Sequence, residues 1–154
     1  VRPSGNFHSA ICQETLRIYP ILPSAFIRVL KSPMEIAGYQ FDTGTALLPS
    51  IYLTHQREDI YPQPKHFKPE RFLERQYSPY EYLPFGGSHR RCLGSALAQM
   101  EMKLVLATII SHFQLALTDN RPVKPVRRGL TFAPPGNLKM IVTQLRVQKT
   151  PVLV

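Results

Sequence analysis

The chain of 154 residues carries 19 Lys and Arg against 10 Asp and Glu, a formal charge of +9, with 44% hydrophobic and 19% charged residues. That balance excludes wholesale disorder, and with only two cysteines, Cys12 and Cys92, neither a disulfide framework nor a four-thiolate zinc site is available. Fifteen prolines, roughly double ordinary usage, argue against a plain helical bundle, because proline breaks helix interiors and sheet ladders alike.

Residues 7–19 read as a first helix. Ser4 and Asn6 are cap candidates, Phe7, Ile11 and Ile18 recur on one face, and Pro20 stops the run. Residues 25–52 change to short extended runs, 26–30, 35–41 and 45–52. Lys31-Ser32-Pro33 and Asp42-Thr43-Gly44 separate them as turns, which predicts a small antiparallel sheet. Residues 55–84 hold Pro62, Pro64, Pro69, Pro79 and Pro84 among Tyr61, Phe67, Phe72, Tyr77, Tyr80 and Tyr82. So many aromatics predict an ordered meander, not a linker. A loop with three glycines, 85–94, leads into the strongest helix pattern, 95–113. There Leu93, Leu97, Met100, Leu104, Ala107 and Ile110 form a stripe. Residues 129–145 read as a hairpin turning near Pro135-Gly136-Asn137. The fold class is therefore mainly α with a small antiparallel β-sheet.

Charge is uneven. Residues 1–77 hold 9 basic and 7 acidic side chains, while 78–154 hold 10 and 3. A basic nucleic-acid-binding module is one reading of that half, although the basic residues are scattered and no nucleic-acid motif accompanies them. No stretch approaches the ~20 apolar residues of a membrane span, and no signal or transit pattern opens the chain. The chain begins at Val1 and soon turns helical, which reads as part of a longer chain.

Cys92 is the chemical focus. It follows Gly86 and Gly87, lies beside His89, Arg90 and Arg91, and precedes the long helix. Helix N-termini and neighbouring cations favour a thiolate, while an inert buried cysteine is the ordinary alternative. No second cysteine or paired histidine stands at zinc spacing. A single thiolate suits an iron that brings its own equatorial ligands, as haem does. Glu14 and Arg17, three apart on the first helix, share a face. By spacing alone they are a surface ion pair.

Taken in order, Glu14-Thr15-Leu16-Arg17, then Pro69-Glu70-Arg71-Phe72, then Phe85-Gly86 with Arg90, Cys92 and Gly94, resemble the three signatures of the cytochrome P-450 family. The resemblance covers nearly the whole chain but only the C-terminal portion of that family's fold. It implies that Cys92 is the axial ligand of haem b iron, with Phe85 beside the sulfur and Gly94 after it in the haem loop. Arg90 and Arg28 would hold the propionates. Glu14, Arg17 and Arg71 would form a buried structural triad that locks the meander to the first helix, with no catalytic role. Segments 22–27 and 130–135 resemble substrate-facing loops, with Leu22, Phe26, Ile27 and Phe132 as the candidates. The loop departs from the pattern at Ser88, where a second glycine is usual.

The resemblance further implies an O2-dependent monooxygenase acting on an apolar small molecule, with no nucleic-acid partner. Electrons would come from a ferredoxin or flavoprotein reductase docked on the basic loop around His89 and Arg91. A soluble, cytoplasmic setting is expected. The family's central helix with its acid–alcohol pair has no counterpart in the sequence, so a non-catalytic or degenerate haem-binding fragment stands as the alternative. Cys12 is expected as a small core residue, and His8, His55, His66 and His112 as surface or loop residues.

Overall fold

A computed structural model of the chain describes residues 7–119 and 121–146. The first helix, α1 (Phe7–Ile18), ends as Tyr19 donates its amide to the Thr15 carbonyl and Pro20 follows. Its inner face buries Ala10, Glu14, Leu16 and Arg17, so half of what it buries is charged. The cap candidates Ser4 and Asn6 lie outside the described residues.

The expected single sheet of residues 25–52 is instead two separate two-stranded ladders. Strand β1 (Arg28–Val29) pairs with β4 (Ala46–Leu47), and β2 (Met34–Ile36) pairs with β3 (Tyr39–Phe41), all antiparallel. Residues 35–41 are therefore a hairpin rather than one strand. It turns at Ala37 and Gly38, both at positive φ (51° and 83°), the backbone that two-residue hairpins need. The run 45–52 breaks at Ser50. Its side chain accepts from the Leu53 amide at 3.1 Å and caps α2 (Ile51–His55).

Residues 56–87 follow as an ordered meander that includes α3 (Arg71–Glu74). Ring contacts hold it together: Tyr61 stacks on Tyr77 at 4.6 Å, and Phe72 meets Tyr77 and Tyr82 at 5.1 and 5.0 Å. The core lies where α1, α2, α3 and this meander converge. Ala10, Leu16, Ile51, Ile60 and Tyr61 are buried there with Glu14, Arg17, His55 and Arg71.

A 3-10 turn (Ser88–Arg90) precedes α4 (Ser95–His112), which runs straight into β5 (Phe113–Leu117). The last expected hairpin is differently paired. Strand β6 (Val126–Arg128) turns at Gly129, φ 64°, into β7 (Thr131–Ala133), whereas β8 (Met140–Leu145) returns to pair with β5. Pro135-Gly136-Asn137 lies in the connection between β7 and β8.

Helix α4 has two apolar sides. Its stripe of Leu93, Leu97, Met100, Leu104, Ala107 and Ile110 is exposed, and none of its residues is buried. The half-buried apolar positions are Ala98, Met102, Leu106 and Ile109, on another side of the same helix. A helix apolar on more than one side is built to be covered on each. Periodicity located one apolar face correctly but did not tell which face meets α1.

Candidate functional site

Glu14 and Arg17 lie one helical turn apart, as their spacing requires, but they form no surface pair. Both side chains are 0% exposed, with Arg17 Nε donating to Glu14 Oε2 at 2.7 Å and Nη2 to Oε1 at 2.9 Å. Arg71, at the start of α3, donates to Glu14 Oε1 at 3.3 Å, and the Lys68 amide reaches the same oxygen at 2.9 Å. Two guanidinium groups around one carboxylate leave an excess positive charge, and main-chain carbonyls absorb it. Arg17 donates to the His55 and Pro64 oxygens, each at 2.7 Å, and Arg71 to that of Pro62 at 3.1 Å. Tyr61 lies beneath Arg17, its ring centroid 4.9 Å from the guanidinium carbon. Among the described residues no buried side-chain nitrogen or oxygen lacks a partner, the condition under which buried charge is tolerated.

His55 corrects the expectation of an unpartnered surface histidine: it is 0% exposed. Its ring Nδ1 lies 3.2 Å from the Arg17 carbonyl oxygen, and its Nε2 lies 3.0 Å from the Leu83 amide nitrogen. An amide nitrogen only donates, so Nε2 accepts and the ring proton sits on Nδ1. Burial pulls the His55 pKa down to about 4. The hydrogen bond to the Arg17 carbonyl and the Glu14 charge oppose that shift, and the Arg17 guanidinium reinforces it. The signal for this residue was its spacing from Ile51, i to i+4 on a short helix whose other member is also buried.

The cysteine loop grows from this base. Leu83 accepts from the Gly86 amide at 3.0 Å, and Phe85 accepts from the Cys92 amide at 2.9 Å, closing the loop at its neck. Gly86 sits at φ 75°, where a side chain is strained. A Cβ on Gly87 would stand 3.0 Å from the Pro79 carbonyl oxygen, so the loop presses on the meander. Gly94, by contrast, has an ordinary φ of −79° and would place a Cβ 3.8 Å from Cys92 Sγ. Cys92 is exposed, Leu93 beside it is fully exposed, and Phe85 is half-buried.

Arg90 and Arg28 are both exposed. Among the described residues no hydrogen bond or ion pair engages the Arg90 guanidinium, and Arg28 reaches only the Ile27 carbonyl, at 3.2 Å. Of the four substrate-facing candidates, Phe132 lines an apolar cleft of about 660 Å³ with Leu16, Tyr19, Ile21 and Met102, and its amide donates to the Ile21 carbonyl. Leu22 is half-buried, and Phe26 and Ile27 are exposed; none of these three lines that cleft.

The donor set fits a haem. Among the described residues no three His, Cys, Asp or Glu side chains cluster to hold a bare metal ion. An iron at Cys92 would therefore have one protein ligand from this chain and need a macrocycle for the rest. The exposed thiol, with a glycine two residues on, leaves room for a flat group.

Comparison with known proteins gives the same class. The cytochrome P-450 family profile matches residues 6–142. The chain belongs to the cytochrome P-450 family. It is 35% identical over 145 residues to cytochrome P-450 135B1 of Mycobacterium tuberculosis (strain ATCC 25618 / H37Rv), covering 94% of this chain and 30% of that protein. It is 36% identical over 126 residues to cytochrome P-450 3A29 of Sus scrofa, covering 79% of this chain and 25% of that one. Among solved structures, a cyanobacterial P-450, 120A1, bound to retinoic acid superposes with a TM-score of 0.78 at 31% identity. That match covers 87% of this chain and 31% of the other. The architecture is thus that of a C-terminal P-450 portion, and the chain spans about 30% of the length of such relatives. Among the described residues no helix is long and apolar enough to cross a membrane.

Proposed function

We propose that this chain forms the thiolate-bearing part of a haem-dependent monooxygenase that uses O2 to hydroxylate an apolar organic substrate. The observation that carries the reading is the exposed Cys92 on a glycine loop, closed at Phe85 and linked through Leu83 and His55 to the buried Glu14–Arg17–Arg71 cluster. A bound haem b supplies the O2 chemistry, with a cysteine ligand pushing electron density toward O–O cleavage.

The chain's own residues bind and orient. Cys92 Sγ would ligate the iron, the half-buried Phe85 would lie beside the sulfur, and Gly94 would leave room for the macrocycle. Arg90 and Arg28 are the propionate partners, their guanidinium groups exposed and little engaged. The exposed Phe26 and Ile27, with Leu22 and Phe132, support an apolar substrate. His89 and Arg91, both exposed on the loop, form the docking surface for an acidic ferredoxin or flavoprotein that delivers electrons. A cytoplasmic setting, which keeps thiols reduced, suits a free Cys92.

The test is the optical spectrum of the reduced protein under carbon monoxide, for the unsubstituted chain and for Cys92→Ala. A red-shifted thiolate-type Soret band that disappears in the variant is expected. No haem uptake in either, with salt-sensitive binding to nucleic acid instead, overturns the proposal. Uptake with a thiolate band but no turnover on addition of a reductase assigns the chain to haem binding without catalysis.

A further inference from the structure

Among the described residues, His55 is the buried polar side chain that neither pairs with a carboxylate nor belongs to the cysteine loop. It nevertheless touches both halves of the site. On one side it exchanges two hydrogen bonds with Arg17, the guanidinium donating to the His55 carbonyl at 2.7 Å and the ring Nδ1–H donating to the Arg17 carbonyl at 3.2 Å. On the other, Nε2 accepts the Leu83 amide at 3.0 Å. Leu83 is two residues before Phe85, and its carbonyl takes the Gly86 amide at 3.0 Å just where the backbone turns to φ 75°. The imidazole lies flat on Tyr82, at 5.7 Å and 20°, and meets Tyr61 edge-on at 6.1 Å. Position, tilt and tautomer are therefore all fixed by neighbours.

We propose that His55 is a positioning residue for the Cys92 loop, its neutral Nε2 holding the Leu83 amide so that the neck of the loop is tied to Arg17 on α1. Glu14, Arg17 and Arg71 hold the meander to the helix, but among the described residues none of their side chains hydrogen-bonds the chain between Leu83 and Cys92. The histidine supplies that last link. The role in thiolate ligation rests on the haem reading above; the tie itself does not.

Two substitutions separate the two ends of the ring. His55→Gln places an amide oxygen where Nε2 stood and keeps an acceptor for Leu83. His55→Asn places an amide N–H where Nδ1 stood, keeps the donor to Arg17 and abandons Leu83. Both remove the ring and its stacking, so a merely structural histidine makes the two variants alike. The first readout is hydrogen exchange in the haem-free chain. The Leu83 and Cys92 amides lose protection by about tenfold in the Asn variant, the equivalent of one hydrogen bond, and hold in the Gln variant. The second is the carbon monoxide spectrum of the loaded protein, where the Asn variant shifts intensity from the thiolate-type band to the shorter-wavelength band and the Gln variant does not. Equal behaviour of the two variants in exchange overturns the tie. An exchange split without a spectral split overturns its bearing on ligation. If the unsubstituted protein takes up haem but shows no thiolate band, the haem-thiolate reading falls, and the exchange comparison still decides the tie.

Discussion

Among the described residues Glu14 is the one buried carboxylate, and both Arg17 and Arg71 pair with it. Glu14→Gln preserves shape but leaves two desolvated guanidinium groups with only carbonyl partners. Breaking one side of a buried ion cluster costs about 3–5 kcal/mol. For a chain of this size that amounts to a fall in Tm of roughly 10 °C, to be read by thermal unfolding. An equal Tm would mean that the carbonyls alone stabilise both arginines. His55 sets a pH dependence whose sign is fixed by its environment. Its folded pKa, about 4, lies below the unfolded value of 6.5, so the unfolded chain binds more protons between them. Stability from this group is complete above pH 6.5 and is lost as pH falls toward 4, by up to roughly 3 kcal/mol. The Arg17 guanidinium faces the ring and reinforces the lowering, the Glu14 charge opposes it, and burial pushes the Tyr61 and Tyr82 hydroxyls up so that they stay neutral. Denaturant unfolding at pH 7.5 and pH 5, compared between the unsubstituted chain and His55→Gln, isolates this contribution, and the variant should show the smaller slope.

At the scale of elements, the loop's glycines are not equivalent, and substitution should rank them. Gly87→Ala drives a Cβ against the Pro79 carbonyl, a main-chain atom with little room to yield, and costs about 1–3 kcal/mol. Gly86→Ala keeps space, since the Arg90 carbonyl oxygen is 3.8 Å away, but strains a φ of 75° by about 1 kcal/mol. Gly94→Ala meets neither obstacle and should leave unfolding within about 0.5 kcal/mol. A reversed order of midpoints would show that the neck is looser than its contacts imply. The same elements show what a sequence carries. The Glu-x-x-Arg spacing, the proline-aromatic run and the cysteine loop were legible because each is local and chemically specific. Local turn chemistry was legible at Asp42-Thr43-Gly44, where small polar residues precede a glycine at φ 87°. Ala37-Gly38 and Gly129 were missed because the first sits inside an apolar run and the second beside two arginines. The pairing of β5 with β8 joins residues far apart in sequence, from Leu117 with Met140 to Phe113 with Leu145, and no local pattern encodes it. His55 was misplaced for a related reason, since its partners, Arg17 and Leu83, come from 38 and 28 residues away.

For the whole molecule, the balance of surface is the governing quantity. The accessible area is 12178 Å², against about 7,900 Å² for a compact monomer of this mass. Large apolar side chains lie in that surface: Leu97, Met100, Leu104 and Val105 along α4, and Met140, Ile141 and Val142 on β8, all exposed. Patches of that extent bind something. Net charge of +9 opposes self-association of the chain but does not remove the apolar driving force. The 154-residue chain by itself should therefore bind an apolar fluorescent dye strongly. Replacing Leu97 and Leu104 by Ser should cut that binding while leaving the unfolding midpoint nearly unchanged, because neither side chain is buried here. Replacing the half-buried Met102 and Leu106 by Ser, on the side of α4 away from that stripe, should lower the midpoint. If the first pair destabilised the chain as much as the second, the stripe would already be packed in solution. The face of α4 assigned to α1 would then be wrong.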